Sequence, residues 1–294
     1  MSVLIQPDPK NIVQVYRMAT DEIDDVNDLE QVIKASKKVI SFCDDSGLCR
    51  VDDSVKRNQL LLWSYNSLAK AYVDKNAEGS GYKFSKRNFQ LALGYFSRAL
   101  ELARDANDKI GILRQVAEIY KLTGNEKAYF EIKEDEISLL PSSERREAYV
   151  NLAAETSDTG VRVELMEKAL NFVADEEVSF LVKCQNTLEI CDYLEEVYKN
   201  RKDKANFERI LNLLNSTAVL MVDALNERIN EKNEREKNMG YYTKILDVET
   251  RYLEGNEPLK RNILTQLARF LEDGEEIRVN GMVFNKDNIP QMLH

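Results

Sequence analysis

The chain has 294 residues, of which 41 are Lys or Arg and 51 are Asp or Glu, so its formal net charge is −10. A chain of this length corresponds to one large domain or two modest ones. Its single histidine is His294, which excludes catalytic triads, Cys–His dyads and histidine-based zinc or iron sites inside the fold. The acidic excess also argues against broad nucleic-acid binding, which needs clustered positive charge.

Three features of the sequence predict a cytoplasmic protein with no transmembrane segment. No apolar run approaches the roughly 18 residues that a membrane helix requires. The first ten residues, MSVLIQPDPK, lack the basic and apolar regions of a secretory signal. The cysteines form no CxxC pair, and we expect them to be reduced thiols. They are Cys43, Cys49, Cys184 and Cys191.

Apolar residues recur at intervals of three and four along most of the chain, which predicts amphipathic helices. Proline is absent from 10–140 and from 142–257, as long helices require. Several glycines follow amphipathic segments and are expected to mark helix ends, among them Gly124, Gly160, Gly240 and Gly274. The predicted helices span 10–22, 27–45, 53–75, 85–106, 108–123, 125–138, 142–156, 160–173, 176–200, 203–226, 227–254 (broken near Gly240) and 257–272.

The end of the chain has a different pattern. Residues 276–285 read EIRVNGMVFN, in which Asn280-Gly281 separates two short apolar runs. This arrangement predicts a β-hairpin. Because a two-stranded ribbon is only marginally stable alone, we expect it to pack on the last helices. The polar segment 226–238 predicts a solvated helix, with a docking surface as the alternative.

Three segments share one spacing of residues: a large residue, another large residue three places later, and alanine directly after it. Small and large residues then alternate in the following helix, as at Ala92, Phe96 and Ala99. The matching positions are Tyr65, Leu68, Ala69 and Tyr72, then Leu113, Val116, Ala117 and Tyr120, and finally Tyr149, Leu152, Ala153 and Thr156.

This spacing resembles that of the tetratricopeptide repeat (TPR) family over about residues 55–175. The resemblance implies an all-α fold, a right-handed α-solenoid of about six antiparallel helix hairpins, followed here by the short β-hairpin. The expected organisation is N-terminal capping helices in 1–54, TPR-like repeats in 55–175, further helical hairpins in 176–274 and a β-hairpin tail in 275–294.

The resemblance also implies which side chains face the concave groove of the solenoid. TPR domains that grip a C-terminal carboxylate use Lys and Asn on successive first helices. Here Asn66 and Lys70 have these residue types in swapped order, and the third repeat offers no cation at the matching positions. The alternatives are that Trp63 packs on the helix at 27–45 and that Arg114 and Lys121 pair with Glu118. The predicted partner-binding residues are Trp63, Asn66, Lys70, Arg114, Glu118, Lys121 and Asn151.

We therefore predict a non-catalytic interaction scaffold, such as an adaptor or co-chaperone, that binds a segment of another protein in the groove. No cofactor and no metal site are expected. One alternative is an adaptor of membrane trafficking or secretion built from TPR-like hairpins. Another is a metal-dependent enzyme that uses paired carboxylates such as Glu118 and Glu147 in a closed pocket. The sequence leaves the partner and the oligomeric state open.

Overall fold

The computed structural model describes residues 29–44, 54–78, 86–227, 235–252 and 256–292. Within these ranges the chain is helical apart from one two-stranded antiparallel sheet, which confirms the predicted all-helical fold with a C-terminal hairpin. The first helices are α1 (Leu29–Asp44), α2 (Ser54–Glu78), α3 (Lys86–Leu102), α4 (Ala106–Leu122) and α5 (Glu126–Ser138). Then follow α6 (Ser142–Ala154), α7 (Thr159–Asn171), a 3₁₀ turn (Val173–Asp175), α8 (Phe180–Arg201), α9 (Lys204–Glu227), α10 (Arg235–Tyr252), α11 (Glu257–Phe270), β1 (Glu276–Val279), β2 (Met282–Asn285) and α12 (Ile289–Met292).

Side-chain caps explain why many of these helices begin where they do. The carboxylate of Asp105 accepts a hydrogen bond from the backbone N–H of Asn107 at 2.6 Å, directly before α4. Asn125 accepts one from Ala128 at 3.3 Å before α5. Each cap satisfies a backbone donor that the first turn leaves without a helical acceptor. Further side-chain caps precede α7, α8 and α11, at Asp158, Ser179 and Asn256.

One of the expected glycine helix ends is wrong. Gly240 lies inside α10, which continues through it without a break. A glycine inside a helix costs about 1 kcal/mol relative to alanine, and the complete burial of Tyr242, Ile245 and Leu246 on the same helix offsets that cost. Gly160, where the predicted helix 160–173 begins, lies in the first turn of α7, because Asp158 caps the helix just before it. The predicted helix at 10–22 lies outside the described residues.

The C-terminal hairpin forms at the predicted turn. Asn280 and Gly281 both have positive φ, 50° and 77°, as a two-residue hairpin turn of type I′ requires. Val279 and Phe284 are buried, and the Nδ2 of Asn280 donates to the Oγ1 of Thr250 on α10 at 2.7 Å. The expected packing of the ribbon on the last helices is therefore confirmed.

The chain divides into two compact units between Leu140 and Pro141, inside the predicted repeat segment 55–175. In the N-terminal unit, α2 packs against both α1 and α3, α4 packs against α5, and α2 also contacts α4. In the C-terminal unit the closest packing joins α6 with α7, α8 with α9, and α10 with α11. Contacts are therefore strongest between helices that follow one another in the chain, as in a series of helical hairpins.

The alanines of the repeat spacing lie where helices approach one another closely. In the N-terminal unit Ala69, Ala92 and Ala99 are fully buried around the large side chains of Leu68 and Phe96. Protein interiors are close-packed, so these sites have no room for a larger side chain without displacement of their neighbours. The same holds in the C-terminal unit for Ala153 and Ala169.

Candidate functional site

Helix α2 carries the first three predicted binding residues. Lys70 is exposed, whereas Trp63 and Asn66 are half-buried. Trp63 packs against the core cluster to which α1, α2, α3 and α4 all contribute. The Oδ1 atom of Asn66 is buried and has no hydrogen-bond partner among the residues that the structure describes.

Helix α4 carries the next three, Arg114, Glu118 and Lys121, and all of them are exposed. The alternative that Arg114 pairs with Glu118 on its own helix is wrong. Instead, the Nε of Arg114 donates to the Oε1 of Glu136 on α5 at 2.7 Å. Glu136 is buried, with only 5% of its side chain exposed. Its second oxygen accepts a hydrogen bond from Lys133 at 2.6 Å. Arg114 thus helps to neutralise a buried carboxylate in addition to presenting charge at the surface.

The ammonium group of Lys121 lies over the ring of Tyr129 on α5, 5.5 Å from the ring centroid. A lysine in this position is attracted by the electron-rich face of the aromatic ring while its charge remains available to solvent. Arg114 and Lys121 therefore both contact α5, which holds these two predicted binding residues in place.

Asn151 lies on α6, in the C-terminal unit, where it is exposed. The structure thus brings six of the seven predicted residues into the N-terminal unit, on the contacting helices α2 and α4. The carboxylates of the enzyme alternative also belong to different units, and both Glu118 and Glu147 are exposed. Among the described residues, no group of three or more His, Cys, Asp and Glu side chains is arranged to hold a metal ion.

A cavity of about 400 Å³, which the sequence did not predict, lies between α1 and α3 and over α2. Tyr65 and Leu68 of α2 are buried and form its floor. Its walls carry exposed polar side chains from both flanking helices beside partly buried aliphatic ones. The wall residues are Lys37 and Ile40 of α1 with Gln90, Leu91, Gly94, Tyr95 and Arg98 of α3.

Three tyrosine rings form a column beside this cavity. Tyr95 of α3 stacks on Tyr65 with a centroid distance of 6.2 Å and on Tyr72 with one of 5.9 Å. Tyr65 and Tyr72 are two helical turns apart, roughly 10.5 Å along α2, so the ring of Tyr95 fits between them. Near-parallel aromatic rings at such distances attract one another beyond the effect of burial alone.

A cation caps each end of the tyrosine column. The guanidinium of Arg98 lies 5.7 Å from the centroid of Tyr65, and its Nη1 donates to the phenol oxygen of that residue at 3.4 Å. The ammonium of Lys37 lies 5.7 Å from the centroid of Tyr72. Hydrogen bonding to Tyr72 raises the pKa of Lys37, whose amine already carries a positive charge at neutral pH. The cavity therefore has a fixed positive charge on each of two walls.

The cavity and the predicted groove lie on opposite sides of α2. A step of two residues turns a helix by about 200°, so Trp63 and Tyr65 project in nearly opposite directions, as do Lys70 and Tyr72. The helical periodicity predicted that Tyr65 and Tyr72 lie in the core, but it did not predict their contacts with Arg98 and Lys37. Those side chains come from three helices, and no local spacing connects them.

The three described cysteines, Cys43, Cys184 and Cys191, are all buried. Burial raises the pKa of Cys191 to about 12, so this thiol carries almost no thiolate at neutral pH. In the parts of the chain that the structure describes, no helix combines the length and the apolar character needed to cross a membrane.

Comparison with known proteins does not assign this chain to a family. A scan of protein-family models returns no match, and a search of curated proteins returns none either.

Proposed function

We propose that this chain is a non-catalytic scaffold of TPR-like helical hairpins that binds an acidic segment of a partner protein. The segment binds on the exposed side of α2 and α4, and the hairpins follow one another as a right-handed solenoid. The observation that carries the proposal is the exposure of Lys70, Arg114 and Lys121 on two helices that contact each other.

The burial pattern supports the TPR-like frame from which this surface was predicted. The frame requires small buried residues at Ala69, Ala117 and Ala153, and these are 0%, 3% and 0% exposed. The frame also requires the predicted groove-facing positions of α2 and α4 to be accessible. Lys70 and Arg114, which occupy such positions, are exposed. A helix that is buried on one side and charged on the other, beside a neighbour of the same kind, offers an extended surface for a partner.

Electrostatics favour an acidic partner segment. The chain as a whole has a net charge of −10, so most of its surface repels acidic molecules. The positive strip, defined here as the exposed Lys70, Arg114 and Lys121, directs an acidic segment to one place on such a chain. Arg114 and Lys121 are held by contacts to α5, which reduces the side-chain entropy lost on binding. Trp63 and Asn66 supply an apolar surface and an amide next to the strip.

The experiment that tests this proposal reverses one charge in the strip and one outside it. Lys70→Glu is the site variant, because Lys70 is exposed on α2. Lys38→Glu is the matched control, an exposed lysine of α1 that lies outside the predicted surface. Arg114 is unsuitable for charge reversal, since a glutamate there would face the buried carboxylate of Glu136.

A random peptide-display library selected on the wild-type protein serves as the probe, because no partner is named by the sequence. We expect acidic peptides to be enriched, with affinities that fall as salt rises. Lys70→Glu should weaken them by roughly tenfold and Lys38→Glu by less than about twofold. Emission from Trp63, the single tryptophan, should change on binding. Selected peptides without acidic preference, or equal binding to both variants, would contradict the proposal.

A further inference from the structure

We propose that the cavity between α1 and α3 binds a small organic acid, an apolar body that carries one carboxylate. This site lies on the side of α2 away from the groove, so it is a second binding site that does not depend on the partner surface. Its volume of about 400 Å³ falls in the range of known small-molecule pockets.

The inner part of the cavity suits an apolar group. Its floor contains Leu68, which is completely buried, and Tyr65, which is 5% exposed. Ile40 and Leu91 add aliphatic surface from the two walls. An apolar body placed here leaves water and gains dispersion contacts with these side chains.

The rim of the cavity suits a single negative charge. Arg98 presents a planar guanidinium with several N–H donors, the group that recognises a carboxylate by two parallel hydrogen bonds. Its contact with the ring of Tyr65 holds it at the cavity wall. Lys37 stands on the opposite wall and adds a second positive charge at the rim. A carboxylate that pairs with Arg98 is therefore also attracted by Lys37.

Substitution of Gly94 by a larger residue should fill the cavity without disturbing the fold. It lines the cavity in the middle of α3, and no atom lies within 4 Å of the place where its Cβ would stand. Gly111 in α4 is the matched control, because it is also an exposed helical glycine with open space at its Cβ. Leucine at either site raises helix propensity, so neither variant should unfold.

The experiment measures binding of 4-phenylbutyrate by calorimetry to the full chain and to these variants. We expect wild type and Gly111→Leu to bind the acid equally, and Gly94→Leu to lose at least about tenfold in affinity because its side chain fills the cavity. Arg98→Gln should lose about tenfold for the acid. The neutral analogue 4-phenylbutyramide should bind wild type more weakly than the acid and should not distinguish Arg98→Gln from wild type.

Three results would overturn the assignment. The first is no measurable binding of 4-phenylbutyrate to wild type at millimolar concentration. The second is equal binding of the acid to Gly94→Leu and to Gly111→Leu, which would place the ligand elsewhere. The third is a short peptide with a C-terminal phenylalanine carboxylate that binds wild type when the free acid does not, which would make the occupant a protein terminus.

Discussion

Two regions of the C-terminal unit bury a glutamate in different ways. In the α6–α8 region, Glu176 accepts hydrogen bonds at 2.7 Å from the Nε of Arg146 on α6 and at 2.7 Å from the Nδ2 of Asn186 on α8. In the α10–α11 region, Glu249 is 2% exposed and its Oε2 has no hydrogen-bond partner among the described residues. The first carboxylate is satisfied on both oxygens, and the second is not.

The difference shows that the effect of a buried carboxylate on stability depends on its hydrogen-bond partners. A carboxylate with partners on both oxygens links helices, whereas one that lacks them costs free energy. Glu176 joins two helices through a cation and an amide, so loss of this side chain would leave the half-buried Arg146 without its counter-charge. Burial raises the pKa of Glu249, with a smaller opposing effect from Lys260. The charged form of Glu249 is therefore a cost to the folded state at neutral pH.

Glu176→Ala should have the largest effect on stability. We expect the C-terminal unit to lose about 3 kcal/mol, because the substitution removes one partner of a buried ion pair. Urea unfolding followed by circular dichroism measures this loss. Tryptophan fluorescence is unsuitable, because the single tryptophan, Trp63, lies in the N-terminal unit. The control is Lys127→Ala, which breaks an ion pair with Glu131 whose side chains are 88% and 64% exposed. It should cost less than about 0.5 kcal/mol, and equal losses in both variants would contradict the comparison.

Ala153→Leu tests the close packing of the same α6–α8 region. Ala153 is fully buried, so the larger side chain should overpack the contact and cost roughly 1–3 kcal/mol. The adjacent Ala154 is exposed at the end of α6 and provides the control. Ala154→Leu should change the midpoint of urea unfolding very little. A midpoint that is unchanged in both variants would show that the repeat frame is misplaced.

Glu249→Gln should have a smaller effect of the opposite sign. Because the folded-state pKa of Glu249 is raised, the folded chain retains a proton that the unfolded chain releases. Stability from this residue is therefore present below the ordinary glutamate pKa and is lost as the pH rises through the raised value. The amide removes the buried charge, so we expect a gain of roughly 1 kcal/mol at pH 7.

The gain from Glu249→Gln should shrink as the pH falls towards the ordinary glutamate pKa, where Glu249 is protonated in wild type as well. Urea midpoints for both proteins across this pH range measure the trend. Glu208→Gln is the control, because Glu208 is exposed on α9 and is not among the groups that shift the pKa of Glu249. Its loss should change stability by less than about 0.5 kcal/mol. A loss of stability in Glu249→Gln at pH 7 would show that its carboxylate has a partner.

Much of the helical architecture could be predicted because its determinants are local. The start of α4 follows from Asp105 and the turn of the hairpin from Asn280-Gly281, each within a few residues of the structure that it sets. The prediction at Gly240 was wrong because the packing of neighbouring side chains outweighed a weak local preference. The six candidate residues on α2 and α4 could be placed on exposed or half-buried positions by the same periodicity.

The sequence by itself determined where most of the described helices lie and which side of each of them is apolar. Only the tertiary structure decided that Arg114 pairs with Glu136 and that Tyr95 stacks between two tyrosines of α2. Periodicity specifies the buried side of a helix, but it carries no information about which helix covers that side. Ion pairs, aromatic columns and the cavity between α1 and α3 are made by residues far apart in the chain, so they exist only once the helices have packed.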